Sequence, residues 1–121
     1  FAVRLDKATD FIGKTALSMA KLQPPKRRVI SLVAKDSAAP LAHGGELVLI
    51  DGKPAGDVTS AGFGAALDRV VMLALVNTGG AVMSDATLAR QTVEIDIAGV
   101  RVPVTASLKA PYDPSNARIK A

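Results

Sequence analysis

From residue 26 onward, glycine and proline cut the sequence into short strand-type runs, and few architectures accept that. Arg27 to Lys35 places Val29, Ile30, Leu32 and Val33 around Ser31, a β-branched, apolar stretch that suits a strand. Glu46 to Ile50 is a second strand. Asp51-Gly52 then gives a strong hairpin signal, since both residue types accept positive φ. Pro54 to Ser60 returns as a third strand, with Gly56 at a bulge. Ala61 to Ala65, holding Gly62 and Gly64, reads as a bend, and Leu67-Asp68-Arg69 as a single turn. Val70 to Asn77 is a nearly continuous apolar strand, buried on both sides or lining a barrel. Thr78-Gly79-Gly80 reads as flexible and Ala81 to Arg90 as an irregular connection. In Gln91 to Ile97, Val93, Ile95 and Ile97 alternate with Thr92, Glu94 and Asp96. Ala98-Gly99 is a tight turn into Val100, Val102 and Val104, which alternate with Arg101, Pro103 and Thr105. Pro103 has no N–H to give, so an edge strand or a bulge is expected there.

The segment before this region has a different period. Residues 1 to 7 alternate in strand fashion or form an extended lead-in. Thr9 and Asp10 are good N-caps, and Phe11, Ile12, Ala16, Leu17, Met19 and Ala20 recur at helical spacing, predicting a helix from about 10 to 21. Asp10 and Lys14 are four apart in the favourable order. Gly13 is either a close-packing position or a tolerated surface glycine, and Pro24-Pro25 stop the helix. The tail from Ala110 to Pro114 is ordered if Tyr112 docks, and Ser115 to Ala121 is expected to fray. The fold expected is mainly β: a small antiparallel Greek-key-type barrel of about six strands with one N-terminal helix. All 121 residues form one domain, with a helical lead-in at 1–25, the barrel at 26–114 and a tail at 115–121.

Composition narrows the function classes. Apolar residues make up 49% but aromatics only 3%, so Val, Leu, Ile and Ala must build the core. There is no cysteine, hence no disulfide framework, which fits a cytoplasmic (or organellar) setting. No apolar run approaches the ~18 residues needed to span a bilayer, so no membrane partner is expected. The start at Phe1 rather than Met reads as a fragment or a processed chain. A net charge of +4 invites a nucleic-acid reading. The only basic run is Lys26-Arg27-Arg28, and no aromatics interleave with it to stack bases. A solvated strand entrance or an interdomain ion pair suits that run better, and no nucleic-acid partner is expected.

Catalytic constellations are equally sparse. His43 is the only histidine, so a structural zinc site is excluded and no metal ligands are assigned. His43-Gly44-Gly45 has the look of an esterase oxyanion loop, but no Gly-x-Ser-x-Gly elbow supplies a nucleophile. Gly62-Phe63-Gly64 is too short for a phosphate loop and lacks the Gly-Lys-Ser/Thr that reaches phosphates. A sharp reversal of the chain accounts for it better, with the Thr59 and Ser60 hydroxyls capping the turn. On that reading, Gly62→Val should damage folding first. Glu94 and Asp96 share a strand face, and a wet outer face explains them better than acid–base chemistry. No catalytic residue is assigned.

The ordered set of motifs resembles the glycine cleavage T-protein (aminomethyltransferase) superfamily. Asp10-Phe-Ile-Gly-Lys-Thr-Ala-Leu17 looks like its helix start, Arg27-Arg28-Val29 like the entry to its first barrel strand, and Pro40-Leu41 like the loop before Gly45-Glu46. Gly56-Asp-Val-Thr-Ser-Ala-Gly62, then Leu67, Arg69 and Val71 to Val76, look like its Gly-x-Val-Thr-Ser segment and the following strand. Pro111-Tyr112-Asp113-Pro114 resembles the closing motif of flavin-linked relatives, the dimethylglycine and sarcosine dehydrogenases or oxidases. One departure is Ala42, where glycine cleavage T-proteins tend to carry Arg after the Pro-Leu pair; it favours a flavin-linked or unassigned member.

The resemblance implies a C-terminal barrel domain of a larger parent. That parent would be an aminomethyltransferase or an FAD-dependent dimethylglycine/sarcosine dehydrogenase-like enzyme. Tetrahydrofolate would be bound mainly by preceding domains, which are the expected partners, and FAD is possible in the parent but not here. Thr59, Ser60 and Gly62 would form a channel-facing, cofactor-binding loop, and Arg27 and Arg28 interdomain anchors. The implied role is an accessory one, closing the folate channel and bracing other domains in one-carbon transfer or N-methyl amine demethylation. The alternative is a stand-alone barrel for an acidic partner or nucleic acid, and a third, weaker reading is a small hydrolase centred on His43.

Overall fold

The computed structural model describes residues 3–118 and residue 120. Its elements are helix α1 (Lys14–Ala20), strands β1 (Arg27–Ala34), β2 (Leu47–Ile50), β3 (Lys53–Gly64) and β4 (Arg69–Asn77), short helix α2 (Asp85–Leu88), and strands β5 (Val93–Ile97) and β6 (Val100–Ser107). The six strands close an antiparallel barrel in the order β1-β4-β3-β2-β5-β6, with β6 pairing back onto β1. Strands β2, β3 and β4 follow one another as hairpins, and β1 returns beside β4, which is a Greek key. The expected fold class therefore holds.

Alternation fills the barrel. Val70, Met72, Ala74 and Val76 of β4 point inward, as do Ile30, Leu32 and Ala34 of β1, Val93 and Ile95 of β5, and Val102 and Val104 of β6. Val48 and Val58 complete the wall from β2 and β3. Each of the valine, leucine, isoleucine and methionine side chains contributes roughly 1.5–3 kcal/mol when taken fully out of water. Two loops plug the ends. Ala42, in the β1–β2 connection, is only 2% exposed, and Leu88 of α2 is buried at the opposite end. The region 81–90 is thus not irregular throughout: Ser84 caps α2 by accepting the Thr87 N–H at 3.1 Å, and the Asp85 carboxylate accepts the Leu108 N–H at 2.7 Å.

Both two-residue turns form as expected. Asp51 (φ 51) and Gly52 (φ 75) join β2 to β3, and Ala98 (φ 51) and Gly99 (φ 85) join β5 to β6, the double positive φ of a type I′ hairpin. Asp51 also ties in the α2–β5 connection, its carboxylate accepting the Thr92 N–H at 2.9 Å and Gln91 Nε2 at 3.2 Å. Pro103 sits where β6 outruns β1. Lys35 N–H donates to its carbonyl at 3.0 Å, and its ring nitrogen falls at the end of that pairing, so the missing donor costs a single bond.

Three more expectations are corrected. The bend at Ala61–Ala65 does not occur there. β3 runs on to Gly64, paired with β4 through Gly64↔Arg69, and the reversal lies at 65–68 with Asp68 at φ 51. The bulge expected at Gly56 is present beside it, where the β2–β3 register skips Ala55, and a second slip at Thr59 interrupts β3–β4. Helix α1 starts at Lys14, not 10, because Gly13 takes φ 90, which no right-handed helix contains. The Asp10 carboxylate instead accepts the Phe11 N–H at 2.9 Å, and Lys14 Nζ bonds the Lys7 carbonyl at 2.6 Å. Thr78 is an anchor rather than a flexible joint: its N–H bonds the Lys26 carbonyl at 2.9 Å and its hydroxyl the Pro25 carbonyl. In the lead-in, Val3 and Arg4 lie outside regular structure, and Phe1 and Ala2 lie outside the described residues.

In the tail, the Arg118 guanidinium lies over the Tyr112 ring and donates to its hydroxyl at 2.6 Å. The Asp113 carboxylate accepts the Ala117 and Arg118 N–H groups. Residues 112–118 are thus bonded to one another, while Ile119 and Ala121 are outside the described residues.

Candidate functional site: the outer wall of β1, β4 and β3

The residues singled out in the sequence fall on the outside of the barrel. Strand β4 alternates, so Val71, Leu73 and Leu75 face outward when Met72 and Ala74 face in. Their partners across the ladder are Val33, Ser31 and Val29 of β1, and Gly62, Ser60 and Asp57 of β3. This outer wall is largely apolar, with Val29 54% and Leu73 44% exposed. Between Ser31, Ser60, Gly62, Val71, Leu73 and Pro111 it forms a shallow groove of about 200 Å³. Ser60 and Gly62 are thus brought together. Thr59, the bulged residue, has its hydroxyl bonded to the Leu73 carbonyl at 3.1 Å, which fixes the slip in register.

Arg27 and Arg28 are elsewhere. Arg27 pairs with Asn77 and Gly62 with Val71 along the same β4, a separation of roughly 20 Å at about 3.3 Å per residue. The two arginines also differ in facing. Arg27 shares the outward parity of Val29 and Ser31, whereas Arg28, with the parity of Ile30, stands at the barrel mouth. Both are exposed, and among the described residues neither forms an ion pair.

Two loops carry the remaining polar chemistry. The Glu46 carboxylate accepts the His43 N–H at 2.6 Å and the Gly44 N–H at 2.8 Å. Those backbone donors, His43 foremost, hold its carboxyl below the usual range against the opposing effect of partial burial. The His43-Gly44-Gly45 loop therefore turns its amides onto its own glutamate. Gly44 (φ 113) and Gly45 (φ 93) permit the turn, and Gly45 N–H reaches the Val58 carbonyl at 2.7 Å. Glu94 and Asp96 meet Arg101 on the neighbouring strand, at 3.9 and 3.3 Å, an ion-paired outer face as the alternation implied.

Glycine demand separates two positions the sequence had joined. A Cβ on Gly56 would lie 2.1 Å from the Leu75 carbonyl oxygen and 2.7 Å from Val76 Cα, so only glycine lets β3 and β4 meet there. A Cβ on Gly62 would meet nothing within 4 Å, and its φ is not positive. Sequence reasoning placed the demand at Gly62 and gave Gly56 a bulge. The signal for Gly56 was a glycine opposite the most apolar strand. Ala42 is likewise more than a missing arginine, since it plugs the barrel end.

Comparison with known proteins agrees with this geometry. Residues 27–113 match the glycine cleavage T-protein C-terminal barrel domain. The aminomethyltransferase of Geobacillus kaustophilus is 34% identical over 102 residues, covering 84% of this chain and 26% of that protein. Mouse mitochondrial dimethylglycine dehydrogenase is 32% identical over 106 residues, covering 87% of this chain and 11% of that protein. Human mitochondrial sarcosine dehydrogenase is 28% identical over 122 residues, covering 99% and 13%. The crystal structure of the glycine cleavage system aminomethyltransferase T from Bartonella henselae shares the fold at TM-score 0.61 and 21% identity, over 80% of this chain and 25% of that one. The chain thus spans about a quarter of the aminomethyltransferases it resembles and about a tenth of the dehydrogenases. It belongs to the glycine cleavage T-protein C-terminal barrel domain family.

Proposed function

We propose that this barrel is an accessory domain of a folate-linked enzyme that transfers a one-carbon unit or demethylates an N-methyl amine. It closes one side of the folate channel and braces the domains that precede it, and it has no turnover of its own. The observation that carries this is the filling of the barrel. Ile30, Leu32, Val48, Val58, Val76 and Ile95 occupy the interior almost without exposure, so the barrel is a packed support rather than a vessel.

The outer groove does not fit a whole tetrahydrofolate. At about 200 Å³ it falls below the ~300–1,000 Å³ typical of small-molecule sites, and the Thr59 hydroxyl is already bonded to Leu73. Ser60 and Gly62 serve as one wall of a channel whose remaining walls come from the parent. FAD, where the parent carries it, belongs to another domain. Arg27, exposed on the outer wall, is the better anchor for an interdomain ion pair than Arg28, which stands at the mouth.

The test is a deletion. The translated polypeptide is assayed with and without residues 1–121, and the isolated barrel is assayed alongside. The barrel should fold without turnover, and its removal should raise the KM for folate or abolish activity. Demethylation or aminomethyl transfer by residues 1–121 alone would overturn the proposal. So would binding of a polyanion whose affinity falls steeply with salt, which would select the basic-barrel reading.

A further inference from the structure

The strands of the barrel are unequal in a way the chain itself does not resolve. β3 has twelve residues and β2 four. On its β2 side, β3 is paired from Lys53 to Asp57, and Val58 exchanges backbone bonds with Gly45 and Glu46. Beyond that point only β4 accompanies it, through Ser60↔Leu73 to Gly64↔Arg69. Among the described residues, Ser60 to Gly64 therefore have a ladder on one side and none on the other. Alternate residues of an antiparallel strand turn their N–H and C=O to each side, so this stretch presents an open row of donors and acceptors.

Open edges are normally guarded by lysine, proline, an inward charge or a covering loop. Ser60-Ala61-Gly62-Phe63-Gly64 has no charge and no proline. Two of its five residues are glycines, which leave the backbone bare to an approaching chain. Phe63, with the inward parity of its partner Val70, stands where the interior wall continues past β2 and is 60% exposed. An exposed aromatic between two glycines is costly to leave in water and well placed as an anchor.

We infer that the Ser60–Gly64 edge is completed by an extended segment of the same polypeptide from outside these 121 residues, added as a further strand, with an apolar side chain seated against Phe63. The relatives supply the length for it, since this chain accounts for about a quarter or less of each of them. Strand addition draws its affinity from main-chain bonds and its specificity from alternate side chains, which matches an edge with little side-chain character of its own. The inference rests on the accessory-domain reading.

Hydrogen exchange resolved to single amides tests it, comparing the 121-residue barrel with the full translated polypeptide. The amides of residues 60–64 that point away from β4 should exchange freely in the barrel alone and at least ~100-fold more slowly in the full polypeptide. Phe63→Asp in the full polypeptide should restore fast exchange there while the amides of β1 and β5 stay protected. Equal, fast exchange in both proteins overturns the inference. So does protection in the barrel alone that grows with its concentration, which would identify a second copy as the occupant. If deletion of the barrel abolishes folate-dependent activity while these amides stay fast, the edge assignment fails and the accessory role stands. Turnover by the isolated barrel removes the accessory role independently.

Discussion

The two halves of β3 differ in how they are held. From Gly56 to Val58 it is held on both sides, and it carries there the one glycine that cannot be replaced without moving backbone, Gly56. From Ser60 to Gly64 it has one neighbour, and a Cβ on Gly62 would find open space. Thr59 divides them, its bulge fixed by the bond to Leu73. A single strand thus serves as wall in one half and as presented surface in the other. The sequence marks the two with the same residue type.

The largest effect should come from the enclosed half. Gly56→Ala drives a Cβ into the Leu75 carbonyl and should cost about 3 kcal/mol, read as a fall in the urea midpoint of the barrel. An unchanged midpoint would mean that the strands separate there freely. Val58→Ala comes next. Its side chain is 2% exposed, and its loss should cost about 2 kcal/mol.

Glu46→Gln tests the loop that borders the division, since Val58 N–H donates to the Glu46 carbonyl at 2.9 Å. Removing a charged acceptor from the His43 and Gly44 amides should cost about 1 kcal/mol at neutral pH. The sign with pH follows from the lowered carboxyl. Its stabilising effect is present above the unfolded value near 4.3 and is lost as pH falls through the lower folded value. The gap between wild type and Glu46→Gln should therefore close on acidification below about pH 4. A gap that widens would contradict the assignment.

The smallest effect belongs to the open half. Gly62→Val should change the stability of the isolated barrel by less than about 0.5 kcal/mol, because φ is ordinary and the space is free. This reverses what the bend reading of the sequence implied. A loss as large as that of Gly56→Ala would erase the contrast between the halves.

What the sequence made legible was whatever depends on period or on a dipeptide. The alternation of Val93, Ile95 and Ile97 and the turns at Asp51-Gly52 and Ala98-Gly99 required no knowledge of the rest of the chain, and they appear where expected. Strand ends and glycine roles were not legible. Whether Gly13 starts a helix or delays it depends on the sign of one dihedral. Whether Gly62 bends the chain depends on a partner, Val71, that holds it extended. The Gly56 requirement is set by the β4 backbone, far along the chain, so no local pattern encodes it. The family resemblance rested on the order of motifs and survived these local errors. The stretch from Thr59 to Gly62 reads as a bend in the sequence and is strand in the structure.

The place of β1 has a consequence for how the protein is made. Within the barrel, the first strand to leave the ribosome pairs with β4 and β6, neither of which yet exists. The hairpins β2–β3–β4 form from near neighbours, but the cylinder cannot shut until Ser107 joins Ser31. Closure of contacts this distant is slow, and the waiting sheet exposes both seams. The barrel therefore passes through its most aggregation-prone state late, when nearly all of its own strands have been synthesised. Lengthening the 35–46 or 78–92 connections should retard that last step far more than it weakens the finished barrel.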